Sequence, residues 1–379
     1  MDGPPPDCIE DAVTDTRSET RYATINALGV LDNPNLPAGA DADADAVDVD
    51  TLGYVSGTRS IDARALADAR SAGLSAVNIT LGHVAGSGDA FCETVRDITG
   101  WNAFIGNHGG ALRRVLNVAD IDSAAEAGQV GVIYGFQNTE MLGRELDRVR
   151  LFAKMGVRVI QLTYNGRNAV GDGATVADDR GLSRFGAEVV ERLQSEGVLV
   201  DLSHSSEKTC LDALGVAKRP LAITHSACRA VADHPRNKTD AELRVLAASG
   251  GVIGLYFMPY LRLAGQPMAS DLIAHLEHAI DICGEDHVGL GTDGGITSHD
   301  DMTAYRRQLE DEIAQRRALG IGAPGESADV ATFLPDLCGP TQFQRLADLL
   351  AARGHSSARI EKILGGNFRR LMADAWAHH

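Results

Sequence analysis

Short apolar runs alternate along the chain with longer stretches whose apolar positions recur at helical spacing. The runs at 46–50, 76–81, 130–136, 157–164, 198–203, 221–224, 251–257 and 288–292 read as buried strands, rich in Val, Ile and Leu and followed by polar residues. The stretches 61–72, 91–102, 144–155, 184–195, 207–214, 240–248 and 271–283 read as helices. Gly73, Gly156, Gly197 and Gly250 stand between a helical pattern and the next apolar run, where a left-handed residue closes a last turn. Asp240 and Glu242 put acid into a first turn. Eight strands alternating with helices predict an α/β protein with a parallel sheet, and the count favours a closed (β/α)8 TIM-type barrel over an open doubly wound sheet. No GxGxxG follows the first run and no Walker-type loop is present, which removes the usual nucleotide signatures.

Around this repeat, residues 1–44 read as an N-terminal arm with an amphipathic helix over 11–31, and residues 45–379 as one barrel domain ending in C-terminal helices. The charged stretch 297–333 reads as a lid, an insertion or an oligomer contact. At 379 residues and 44% hydrophobic the chain can bury a sizeable core, and its net charge of −17 argues against nucleic acid and anionic membranes as partners. No apolar stretch reaches a membrane span, and the opening MDGPPPDCIED has neither the basic nor the apolar part of a signal peptide. Six scattered cysteines without a CxxC pair suggest a reduced, cytoplasmic chain.

In a (β/α)8 barrel the residues just past each strand form the active face. Here they are Asp48 and Asp50, Gln137 and Asn138, Tyr164 and Asn165, then His204, His225 and Asp293, with Arg236 in the loop after the sixth run. Taken singly each has a plain structural explanation: a hydrogen-bonded rim histidine, a turn-capping aspartate, a surface ion pair. Two histidines on consecutive strands about 4.8 Å apart, with a carboxylate at a third strand end, favour a shared metal ion instead. Imidazole and carboxylate suit zinc, which lowers the pKa of a bound water to about 7 and makes hydroxide available to attack a carbonyl. His83 follows a strand in a Gly-rich loop, and His275, like the remaining histidines outside strand ends, reads as solvent-facing.

Several stretches resemble the membrane (renal) dipeptidase family of zinc metallopeptidases: LVDLSHSS around His204, ITHSACRAVADHPRN from His225 through Arg236, GLGTDGG around Asp293, GLSRFGAEVVERL, and ILGGNFRRL near the C-terminus. The resemblance implies a (β/α)8 barrel, a homodimer, and hydrolysis of dipeptides, some with a D-configured second residue. The family holds two zinc ions through a bridging glutamate and hydroxide. Carried across, His204 and His225 ligate the second zinc, Asp293 passes the hydroxide's proton to the leaving amine, and Arg236 grips the substrate carboxylate. Asn138 and Asn165, by their own place at strand ends, are candidate substrate-binding residues. Three departures stand out. The family's first-strand His-x-Asp falls on Asp48 or Asp50, with no histidine; the bridging glutamate falls on Gln137; a histidine that polarises substrate falls on Tyr164, whose hydroxyl can still donate to an oxyanion. These changes point to one zinc ion rather than two, or none. The expected function is a metal-dependent amide hydrolase acting on a dipeptide or small carboxylate-bearing amide. The alternatives are a repurposed barrel enzyme with non-peptidase chemistry and a non-catalytic binding homologue.

Overall fold

The computed structural model describes residues 22–36 and 61–377. Its strands are β1 (Thr24–Asn26), β2 (Leu74–Thr80), β3 (Leu112–Arg114), β4 (Val130–Phe136), β5 (Val157–Gln161), β6 (Leu199–Asp201), β7 (Ala222–Ser226), β8 (Val252–Leu255) and β9 (Val288–Leu290). The path β1-β2-β4-β5-β6-β7-β8-β9 is parallel throughout, with β3 paired alongside β4. Hydrogen bonds close the barrel between its ends: Ala27 N donates to Leu290 O (3.0 Å) and Asp293 N to Leu28 O (3.0 Å). The Asn26 side chain fastens the same seam, donating to Thr292 Oγ1 (2.8 Å) and accepting from Thr292 N (2.8 Å).

The period of two along β4 explains why its apolar run is unbroken. Val130, Val132, Tyr134 and Phe136 join the layer between strands and helices, while Ile133 joins the smaller cluster that includes Ile25, Val159, Leu199 and Val252. Phe368, Leu371, Met372 and Trp376 of the C-terminal helix Asn367–Trp376 belong to that second cluster. Gly289 is small for this reason, since a Cβ there would lie 2.6 Å from the Phe368 ring. Gly73, Gly156, Gly197 and Gly250 all take positive φ at the helix ends where the sequence puts them.

Two expectations change. The first described strand of the barrel is Thr24–Asn26, inside the stretch read as an arm and as the helix 11–31. Three residues are too few to show a period, and pairing with β2 overrides the local pattern. The predicted strand 46–50, with Asp48 and Asp50, lies outside the described residues. Cys338 is held in a disulfide, against the expectation of a wholly reduced chain, whereas Cys92, Cys210, Cys228 and Cys283 are free. Among the described residues no helix is long and apolar enough to cross a membrane.

Candidate active site

β6 and β7 carry the two histidines to one place. Their ring centroids are 5.0 Å apart, and both side chains are buried. His204 Nδ1 lies 2.7 Å from Asn165 Oδ1. An amide oxygen only accepts, so Nδ1 carries the hydrogen and Nε2 a lone pair. His225 Nδ1 lies 2.9 Å from Thr224 Oγ1, whose own hydrogen goes to Asp201 Oδ2 at 2.7 Å. Thr224 therefore accepts from Nδ1, and His225 also presents a bare Nε2.

Among the described residues neither Nε2 has a hydrogen-bond partner, although both are buried. A buried polar atom left unpaired costs about 1–3 kcal/mol, and native proteins rarely tolerate two side by side. Burial pushes both imidazoles well below their ordinary pKa, with the Arg236 guanidinium adding to the effect, so both rings are neutral. Two neutral imidazoles 5.0 Å apart, each with its tautomer fixed, supply two of the nitrogen ligands that a borderline cation such as zinc takes. Among the described residues no three His, Cys, Asp or Glu side chains gather to hold a metal, so the set His204, His225 and Asp293 is not assembled as a three-ligand group. Asp293 is instead fixed by its backbone at the barrel seam. It takes φ 56°, the one non-glycine residue among those described to do so, a strained conformation typical of functional positions.

Asp201, at the end of β6, was not anticipated. Its Oδ1 accepts from Ser203 N (3.0 Å), Ser203 Oγ (2.5 Å) and Thr224 N (2.9 Å). Burial pushes this carboxyl up, and the serine and threonine donors pull it back. A lone acid inside an apolar run was the available signal. The stretch 297–333 supplies a second unanticipated group. Its helix Met302–Ala318 brings Arg316 to Tyr164, donating to the hydroxyl at 3.0 Å, and to Glu326 Oε1 at 2.8 Å. Tyr164 in turn stacks on His204, with centroids 4.1 Å apart and planes 20° from parallel.

The other expected residues fall out differently. Gln137 donates to Thr80 Oγ1 (2.7 Å) and lines a cavity of about 980 Å³ beside Asp293, Tyr260, Arg316 and Glu326. Asn138 is absorbed in its own loop, donating to Val84 O (2.9 Å) and accepting from Asn168 Nδ2 (2.8 Å). Arg236 is 2% exposed, and its guanidinium donates to the main-chain carbonyls of Ser203 and His225. The loop after β7 folds inward and sets the guanidinium on carbonyls beside the two histidines. His275 is fully buried rather than solvent-facing, with Nε2 donating to Leu261 O at 3.0 Å.

A closed parallel barrel with paired imidazoles at its strand ends defines the class: a metal-dependent barrel hydrolase of the amidohydrolase kind. The chain belongs to the membrane dipeptidase family, Peptidase family M19, whose sequence profile matches residues 56–320, and it is a dipeptidase-like hydrolase. It is 30% identical over 284 residues to an uncharacterized protein in the pqqA 5′ region of Klebsiella pneumoniae, covering 72% of this chain and 92% of that one. It is 32% identical over 169 residues to the dipeptidase verJ of Clonostachys rogersoniana, a match covering 44% of each chain. Its fold superposes on a Pseudomonas aeruginosa amidohydrolase with TM-score 0.75 and 28% identity, covering 94% of this chain and 97% of the other.

Proposed function

We propose that the chain hydrolyses a dipeptide-like amide bearing a free carboxylate, with His204 and His225 holding a single zinc ion through their Nε2 atoms. The two buried, unpartnered nitrogens carry this reading. When bound, zinc supplies a Lewis acid and a water of pKa about 7. The protein's own groups do the rest. Asn165 and the Asp201–Thr224 pair hold each imidazole in the tautomer that leaves Nε2 bare. Asp293, on the cavity wall, takes a proton from the attacking water and returns it to the leaving amine. Tyr164, its oxygen accepting from Arg316, is polarised to donate to the developing oxyanion. Arg316, on the described cavity wall, receives the substrate carboxylate. We keep the family's homodimer as part of the reading; a cytoplasmic location is weighed against by the Cys338 disulfide.

The test is a dipeptide panel, including D-configured second residues, assayed with zinc content measured on the same preparation. We expect turnover with about one zinc per chain, and loss of both in His204→Ala. A metal-free protein that cleaves dipeptides at full rate would overturn the proposal. Gln137 supports a second reading. A neutral amide tied to Thr80 bridges cations poorly, so a repurposed barrel with other chemistry predicts no dipeptide turnover and a different small molecule in the cavity.

A further inference from the structure

The turn that follows the helix Met302–Ala318 straps across the barrel face. Asn165 Nδ2 donates to Ile321 O (2.7 Å), and His234 Nε2 donates to Pro324 O (2.9 Å). Glu326 Oε1 accepts from Arg316 Nη2 (2.8 Å) and Ala323 N (2.9 Å). The Ile321 side chain packs with Val84 and Tyr164.

The first of these ties reaches His204. An asparagine amide has one donor end and one acceptor end. A main-chain carbonyl only accepts, so Ile321 O holds Nδ2 toward the strap and turns Oδ1 toward the imidazole. Tyr164 fixes the plane of the ring, but both neutral tautomers share that plane, so the choice falls to Asn165. We propose that the Ile321 carbonyl, acting through Asn165, sets the tautomer of His204, making the strap 319–326 a positioning element for the site. This rests on reading His204 as a metal ligand. It concerns which nitrogen of a neutral ring bears one hydrogen, and no titration is involved. With the strap lifted, the amide is free to turn over. Its NH2 then donates to Nδ1, the hydrogen moves to Nε2, and no lone pair remains there for a cation.

The experiment uses the full-length chain with metal removed by chelation. Ring ¹⁵N shifts of His204 are assigned by comparison with His204→Gln. Ile321→Asp places a carboxylate in the apolar contact and releases the strap, and Glu326→Ala releases it independently by removing the acceptor for Arg316 and Ala323 N. Hydrogen exchange over 319–326 identifies the released variants. Wild type is expected to show hydrogen on Nδ1 alone. The released variants are expected to show a mixture of tautomers and zinc affinity weaker by about 10–100-fold in a chelator competition. Asn165→Asp keeps an acceptor for Nδ1 but loses the donor to Ile321 O; it should free the strap while holding the wild-type tautomer. A released strap with an unchanged tautomer in Ile321→Asp and Glu326→Ala would overturn the proposal, as would hydrogen on Nε2 in the wild type. The hydrolase reading fails on different data, namely zinc content and dipeptide turnover.

Discussion

Replacing Asp201 by Asn probes the second imidazole with one atom's change. Two main-chain donors, Ser203 N at 3.0 Å and Thr224 N at 2.9 Å, face Oδ1, so the new amide must keep its oxygen there. Its NH2 then meets Thr224 Oγ1, where Oδ2 had accepted at 2.7 Å. Two donors cannot share that position. Thr224 turns its hydrogen toward His225 Nδ1, and the imidazole hydrogen moves to Nε2. The variant loses one charge-assisted hydrogen bond, worth about 1.5–3 kcal/mol, and weakens the others to neutral strength. Removing a buried charge offsets part of this, leaving a net loss of about 2–3 kcal/mol. Zinc affinity should fall by about 10–100-fold, the usual effect of breaking a ligand's supporting contact. Urea unfolding of the metal-free chain measures the first quantity and chelator competition the second. A variant that loses stability but binds zinc as wild type does would show that the Asp201–Thr224 pair does not orient His225.

Two further outcomes are expected. Both site histidines have folded-state pKa values below 6.5, chiefly through burial, so between those values and 6.5 only the unfolded state takes up their protons. Stability of the metal-free chain is therefore fully present above pH 6.5 and falls as pH drops below it. His225→Ala should reduce that slope by about 1.4 kcal/mol per pH unit, and an unchanged slope between pH 6.5 and 5 would refute the assignment. Gly291→Ala would place a Cβ 1.9 Å from the Thr224 carbonyl oxygen, a backbone atom held in the barrel wall. It should cost about 3 kcal/mol by chemical denaturation, and wild-type stability would contradict the packing described.

Much of the candidate site was legible because strand ends announce themselves. His204 and His225 each follow an apolar run, and the alternation of runs and helices puts both on one face of the barrel. Gln137 and Tyr164 stand past strand ends for the same reason; Gln137 lines the cavity and Tyr164 stacks on His204. Arg236 could not be judged this way. Whether a loop guanidinium turns outward to a ligand or inward to carbonyls depends on the fold of the whole loop, and here it turns inward. The strap was visible only as a charged stretch, because its contacts with Asn165 and His234 join residues far apart in the chain.

The sequence by itself determined the barrel class and the pairing of the two imidazoles, because both follow from a local period repeated along the chain. Only the tertiary structure decided which of the described strands comes first in the barrel. Thr24–Asn26 is too short for any pattern to show, and it becomes a strand because β2 offers a parallel edge and β9 closes the seam. The tertiary structure also decided which nitrogen of each histidine is left bare. That choice passes from Ile321 through Asn165 to His204, and from Asp201 through Thr224 to His225. A hydrogen's position depends on which donors and acceptors meet in space, and no one-dimensional pattern records that.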